Sequence, residues 1–248
     1  MNRNELVRPF QQSVVDFNGA EALIAMGEDV RPYPRYFPIP FHAIASSDTD
    51  WTFEPFRRNL NIFPELYFVL GRDVAMDEEN IGEDAILGYG VGLCVLDDAL
   101  YNSIVNGTPR DLGEAYFYTA YADDTHILLP EIYPIKSAKG ISVKISSPTL
   151  GERVFDQDKL RWDALKLLNA MSPLNAARKY DLVILGAADA PVKVPMDVRF
   201  AENEVITVDA GALGTSKVTV HDLRSEDTKV VTWKPRPLVC DPEYLDVN

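Results

Sequence analysis

Glu65 and Asp97 are the acidic side chains whose placement could do chemistry. Each stands at an end of an apolar run: Glu65 leads Leu66–Leu70, and Asp97 closes Tyr89–Leu96. A carboxylate against apolar walls resists ionisation, which suits it to general acid–base work. Both can equally cap turns, and Asp97 is a good N-cap for a helix marked by Ala99, Leu100, Ile104 and Val105. Arg57 and Arg58, just ahead of the first run, are the nearest cations for an anionic substrate. Lys136 and Lys139 lie in a later turn, where they either meet a substrate carboxylate or are simply solvated. Gly186 follows the run Leu182–Leu185, and a glycine there lets backbone approach a ligand closely. His126, after Asp123-Asp124, is either a general base or a surface loop residue.

The elements that must position these groups follow from patterning. Leu66–Leu70 is short, rich in aromatic and β-branched residues and stopped by Gly71, as expected of a buried strand. Acidic residues from Asp77 to Asp84 suit the first turn of a short helix ending at Gly88, and Tyr89–Leu96 is a second strand. Upstream, Phe10, Val14, Val15 and Phe17 form one helix face, with a second short helix over Ala20–Met26. Residues 30–42 carry four prolines among aromatics and read as an extended strap. Downstream, Tyr116, Phe117, Tyr118 and Tyr121 form an aromatic cluster, and Ile127–Leu129 and Ile141–Ile145 are short strands. Asp156–Met171 is the clearest helix, capped by Asp156 and stopped by Pro173. Val205–Val208 and Lys217–Val220 make a hairpin, and Val230–Trp233 a further strand before a proline-containing tail.

Composition narrows the function classes. The 248 residues carry a net charge of −14, which argues against nucleic acid as a partner. The two cysteines, Cys94 and Cys240, make no disulfide framework. No signal-peptide core and no apolar run of about 20 residues is present, so a cytoplasmic, non-membrane protein is expected. Neither a phosphate-binding glycine loop nor an internal repeat occurs.

Three segments together carry a resemblance. Residues 63–73 (FPELYFVLGRD), then Glu83-Asp84-Ala85, then Gly88-Tyr89-Gly90-Val91 resemble the E-P-E-L-A-F-V-L-G-R-D, E-D-A and G-Y-x-V motifs of the fumarylacetoacetate hydrolase superfamily. Asp181–Gly186 is similar to that family's G-D-I-V-L-T-G. Glu204–Val220 resembles the closing strands of its hydratase and decarboxylase branch. The resemblance covers about residues 60–220. It implies a mixed α+β fold dominated by a rolled sheet with a few flanking helices. The expected organisation is N-terminal helices and strap over 1–60, a β-rich catalytic-type domain over 61–222 and a C-terminal extension over 223–248. It also implies a homodimer or larger assembly. The implied activity is that of a lyase or isomerase (hydratase, decarboxylase, tautomerase or cyclase) on a small 2-oxo acid, dienoate or β-dicarbonyl compound.

The departures bear on the cofactor. The family holds a divalent ion, usually Mg²⁺, with three carboxylates, and the matching positions here are Phe63, Glu65 and Cys94. A hard cation needs several oxygen ligands, which this set does not supply. No histidine stands nearby in sequence to complete a softer site. No metal is therefore expected, and Mg²⁺ would bind only if Glu65 and Asp97 sufficed. The family's threonine before the Gly186 position is Leu185. Two functions remain open: a metal-free enzyme with Glu65 or Asp97 as acid–base, or a non-catalytic relative that binds a ligand or a partner enzyme.

Overall fold

The computed structural model describes residues 1–3, 12–15, 17–106, 119–120, 122–173 and 176–228. Its elements are β1 (Gln12–Val15), α1 (Ala20–Ala25), β2 (Tyr36–Pro38), β3 (Asp50–Phe53), β4 (Leu60–Leu70), β5 (Ile86–Asp97), α2 (Asp98–Val105), β6 (His126–Leu128), β7 (Ser142–Ser147), β8 (Gly151–Asp156), α3 (Ala164–Met171), β9 (Leu182–Ile184), β10 (Val192–Val194), β11 (Glu204–Asp209) and β12 (Thr215–Asp222). One sheet runs β2-β1-β9-β4-β5-β6, with β10 also on β4; the other runs β3-β12-β11-β7-β8. This is the sheet-rich mixed architecture expected. No helix among the described residues is long and apolar enough to cross a membrane.

The β4–β5 hairpin is the spine. Every residue of β4 is buried, Asn61 and Glu65 included, so the strand is covered on both faces and does not alternate between core and solvent. Pro64 would remove a ladder donor in most central strands. It is tolerated here because β10 pairs with Leu60–Ile62 and β9 with Tyr67–Val69, leaving Pro64 in the interval between them.

Three expectations change. The helix expected between Asp77 and Gly88 is only a tight turn at Glu83–Ala85, because Asp77 and Asn80 adopt φ of 60° and 57° and interrupt it. The expected helix face at Val14, Val15 and Phe17 is in part the strand β1, which pairs with β2 and with β9. Those pairings override a weak helical pattern. The helix expected from Asp156 starts only at Ala164. Asp156 ends the edge strand β8 and caps a separate turn at Gln157–Lys159, while Asp163 caps α3 by accepting from the Lys166 amide. Phe10, the aromatic cluster at 116–118 and 121, Val230–Trp233 and Cys240 lie outside the described residues.

Candidate active site

Register places the site. Phe63 of β4 lies opposite Cys94 of β5, and Cys94 lies opposite His126 of β6. Glu65, two residues along β4 from Phe63, therefore shares its face and sits opposite Gly92. With no side chain at Gly92, the Glu65 carboxylate reaches diagonally to β6, where His126 Nδ1 and Glu65 Oε1 are 2.6 Å apart. The ligand-type atoms of Glu65, Cys94 and His126 all lie within 4.8 Å of one another, and all three residues are buried.

The group is unusual in what it leaves unpaired. Glu65 Oε2 and His126 Nε2 are buried and have no hydrogen-bond partner among the described residues. Leaving such atoms unsatisfied is costly in a core. Burial, together with the Glu65 charge, pushes the Cys94 thiol well up, while the Arg57 charge pulls it down. Cys94 is thus held as a neutral thiol. Phe63, fully buried, packs its ring 6.2 Å from that of Phe17 and forms an apolar wall on the same face.

The other candidate residues do other things. Asp97 is the N-cap of α2: its carboxylate accepts from the Ala99, Leu100 and Arg58 amides, and alternation puts it on the opposite face from Cys94. It does not meet Glu65, so the two carboxylates cannot share a cation. Arg57 is a buried strut. It donates to Val95 O at 3.3 Å, Asp123 O at 2.8 Å and Thr125 Oγ1 at 3.2 Å, holding β5 to the approach of β6. Burial lowers its pKa, and the nearby Asp97 and Cys94 raise it. Arg58 clamps the carbonyls of Ser225, Glu226 and Thr228. Lys136 donates to Ile86 O and lines a separate cavity of about 520 Å³ with Glu83, Tyr89 and Gln157. Gly186 has φ of 71° and follows Leu185, whose amide donates to Leu66 O, so its turn lies beside β4 next to Glu65 in sequence.

His126 is the residue that patterning misplaced. It is not a surface loop residue but the first residue of β6, fully exchanged from water to core. The signal was its abutment on the apolar run Ile127-Leu128-Leu129: starting the strand one residue earlier puts a histidine in the sheet.

The donor set does not fit a hard cation. Phe63 offers none, and Cys94 is a thiol. Glu65 has one oxygen engaged by His126.

Solved structures sharing this architecture belong to the fumarylacetoacetate hydrolase type, and that is the fold of the chain. One, from Yersinia pestis, is described as a fumarylacetoacetate hydrolase family protein: TM-score 0.69, 16% identity, 85% of this chain and 93% of that one covered. The fumarylpyruvate hydrolase of Pseudomonas aeruginosa, solved with Mn²⁺ and pyruvate, aligns with TM-score 0.67 and 20% identity over 88% of this chain and 91% of its own. The 5-carboxymethyl-2-hydroxymuconate delta-isomerase of Mycobacterium smegmatis aligns with TM-score 0.64 and 17% identity over 88% and 80%. No family model matches the sequence, and no curated protein matches it either.

Proposed function

We propose that the chain is an enzyme of the fumarylacetoacetate hydrolase type that moves a proton on a small 2-oxo acid, dienoate or β-dicarbonyl compound, without the hard metal usual to that fold. The observation that carries the reading is the buried Glu65–His126 pair, 2.6 Å apart, in which each partner keeps one unpaired atom. In the proposed step, Glu65 Oε2 accepts a proton from the carbon beside the substrate carbonyl. The C–H electron pair becomes the C=C bond of an enolate, and its charge settles on oxygen. His126 Nε2 returns a proton to oxygen or to a second carbon. The step starts with Glu65 ionised and a proton on each His126 nitrogen, and it leaves both side chains neutral. The Oε2 proton is then lost to solvent and Nε2 regains one from it, which restores the pair. Phe63 and Leu185, both fully buried, favour a substrate with an apolar flank. The neighbouring hydrolase and isomerase folds support chemistry at a 2-oxo acid but not a particular substrate.

The complete burial of Glu65, Cys94 and His126 favours a second reading, a non-catalytic relative that uses the fold to bind a ligand or a partner enzyme.

The test is exchange of carbon-bound protons of pyruvate and oxaloacetate in D₂O, followed by NMR. The wild-type chain should accelerate it, and Glu65→Gln should remove about 10²-fold or more of the acceleration. A wild-type chain that exchanges no proton on a panel of 2-oxo acids sinks the catalytic reading.

A further inference from the structure

A thiol, an imidazole and a carboxylate gathered in one place form a donor set for a borderline or soft cation, because thiolate and imidazole prefer such ions to Mg²⁺. Three neighbouring strands deliver that set here. Glu65 comes from β4, Cys94 from β5 and His126 from β6, with Cys94 and His126 in direct register. All three are buried, and their donor atoms lie within 4.8 Å of one another. Two further observations point to a ligand: Glu65 Oε2 and His126 Nε2 are buried without a hydrogen-bond partner among the described residues. We propose that Glu65, Cys94 and His126 bind one divalent cation of the zinc class per chain, leaving a fourth coordination position open.

Bond lengths of about 2.0–2.3 Å place donors about 3.3–3.8 Å apart around a tetrahedral zinc ion. The donor atoms lie within 4.8 Å of one another, so binding requires the three side chains to draw inward to that range. The 2.6 Å contact between His126 Nδ1 and Glu65 Oε1 is too short for both atoms to be ligands while it persists. If these are the coordinating atoms, metal binding and that hydrogen bond exclude each other. As the S–Zn bond forms, the Cys94 thiol proton leaves to solvent and Glu65 becomes a ligand rather than a base. Zn²⁺ would then silence proton transfer. The silencing rests on the proton-transfer reading above, whereas the binding rests on the donor set alone.

The test uses the full chain after EDTA treatment and desalting. It should take up one Zn²⁺ or Co²⁺ per chain, and millimolar Mg²⁺ should not compete. The Co²⁺ form should show the near-ultraviolet thiolate-to-cobalt charge-transfer band. Cys94→Ser should abolish that band and weaken Zn²⁺ binding at least about 100-fold, more than loss of an outer-sphere partner does. Substoichiometric uptake, equal competition by Mg²⁺, or a band that survives Cys94→Ser overturns the proposal. If Cys94→Ser does not fold, the wild-type Co²⁺ spectrum decides, and absence of the band overturns it. Stoichiometric Zn²⁺ uptake by a chain that exchanges no protons in its metal-free form upholds the metal site and sinks the proton-transfer reading. Proton exchange undiminished in the Zn²⁺-loaded chain overturns the exclusion.

Discussion

Glu65 and Asp97 are buried carboxylates on one hairpin, and their surroundings are opposite. Asp97 accepts from three backbone amides. Glu65 has one partner, itself titratable, and an oxygen with none. Burial pushes the Asp97 carboxyl up, while the Leu100 and Arg58 amides and the Arg57 charge pull it down. A carboxylate surrounded by fixed amide dipoles holds a helix end. One left half-open toward an imidazole and a thiol is positioned for a proton or a cation. The sequence places both at the end of an apolar run, but β4 extends back to Leu60 and holds Glu65 mid-strand, while Asp97 does end β5. Burial does not distinguish the roles; the partners do.

The largest expected effect comes from erasing the difference in donor type. Phe63→Glu with Cys94→Asp would put three carboxylates on the Glu65 face. Losing the Phe63 core contacts alone should cost about 3–5 kcal/mol, and charge repulsion adds to this in EDTA. Added Mg²⁺ should restore stability in proportion to the logarithm of free ion, about 2.7 kcal/mol at 100 times Kd. Urea titrations at graded Mg²⁺ check this, and the absence of an Mg²⁺-dependent shift would mean that the three positions do not converge.

The next test separates the two carboxylates by function. Glu65→Gln should lower turnover about 10²-fold, roughly 2.7 kcal/mol of transition-state stabilisation. Asp97→Asn should leave kcat within a few-fold. Equal losses in kcat from both changes would break the comparison.

A smaller effect separates them by stability. Asp97→Ala removes a cap and the acceptor for the Arg58 amide, and should destabilise the fold by about 1–2 kcal/mol in chemical denaturation. Glu65→Gln should destabilise it less, since it removes a buried charge and keeps the shape.

The smallest effect is pH-dependent and uses a third carboxylate. Burial works against the Asp222 charge. Arg224, at 2.8 Å, and the Phe200 and Arg224 amides outweigh it, holding the carboxyl below its ordinary 3.8. A depressed folded-state pKa contributes stability that is present above the unfolded value and lost as pH falls through the folded one. Asp222→Asn should therefore flatten the fall in the denaturation midpoint below about pH 4, while Asp97→Asn should not. Asp97, raised in the folded state, acts in the other direction: its contribution declines as pH rises above 3.8.

The two strands were legible over Leu66–Leu70 and Tyr89–Leu96, where burial on both faces writes an apolar run. Their direct pairing was not, nor was the Leu60–Glu65 half of β4, interrupted by Asn61, Pro64 and Glu65. The Asp97 cap was legible because helix N-termini have a short local code. The fumarylacetoacetate hydrolase-type fold was legible from motif order. His126 was not, because what makes it part of the site is a pairing with Cys94 across 32 positions of chain, the difference between 126 and 94. Arg57 likewise reads as a cation awaiting a substrate. Only the structure shows that carbonyls and a hydroxyl already engage both of its terminal nitrogens.

Gly92 has an evolutionary consequence. A Cβ there would lie 2.7 Å from Leu128 Cδ2 and 2.9 Å from Ile127 O, so any larger residue must displace β6. It would also come within 3.6 Å of Glu65 Cγ. A side chain at 92 therefore bears on His126 through its neighbours Ile127 and Leu128, while its approach to Glu65 is an ordinary contact. Lineages that replace the glycine would have to rebuild the β5–β6 pairing that brings His126 to Glu65.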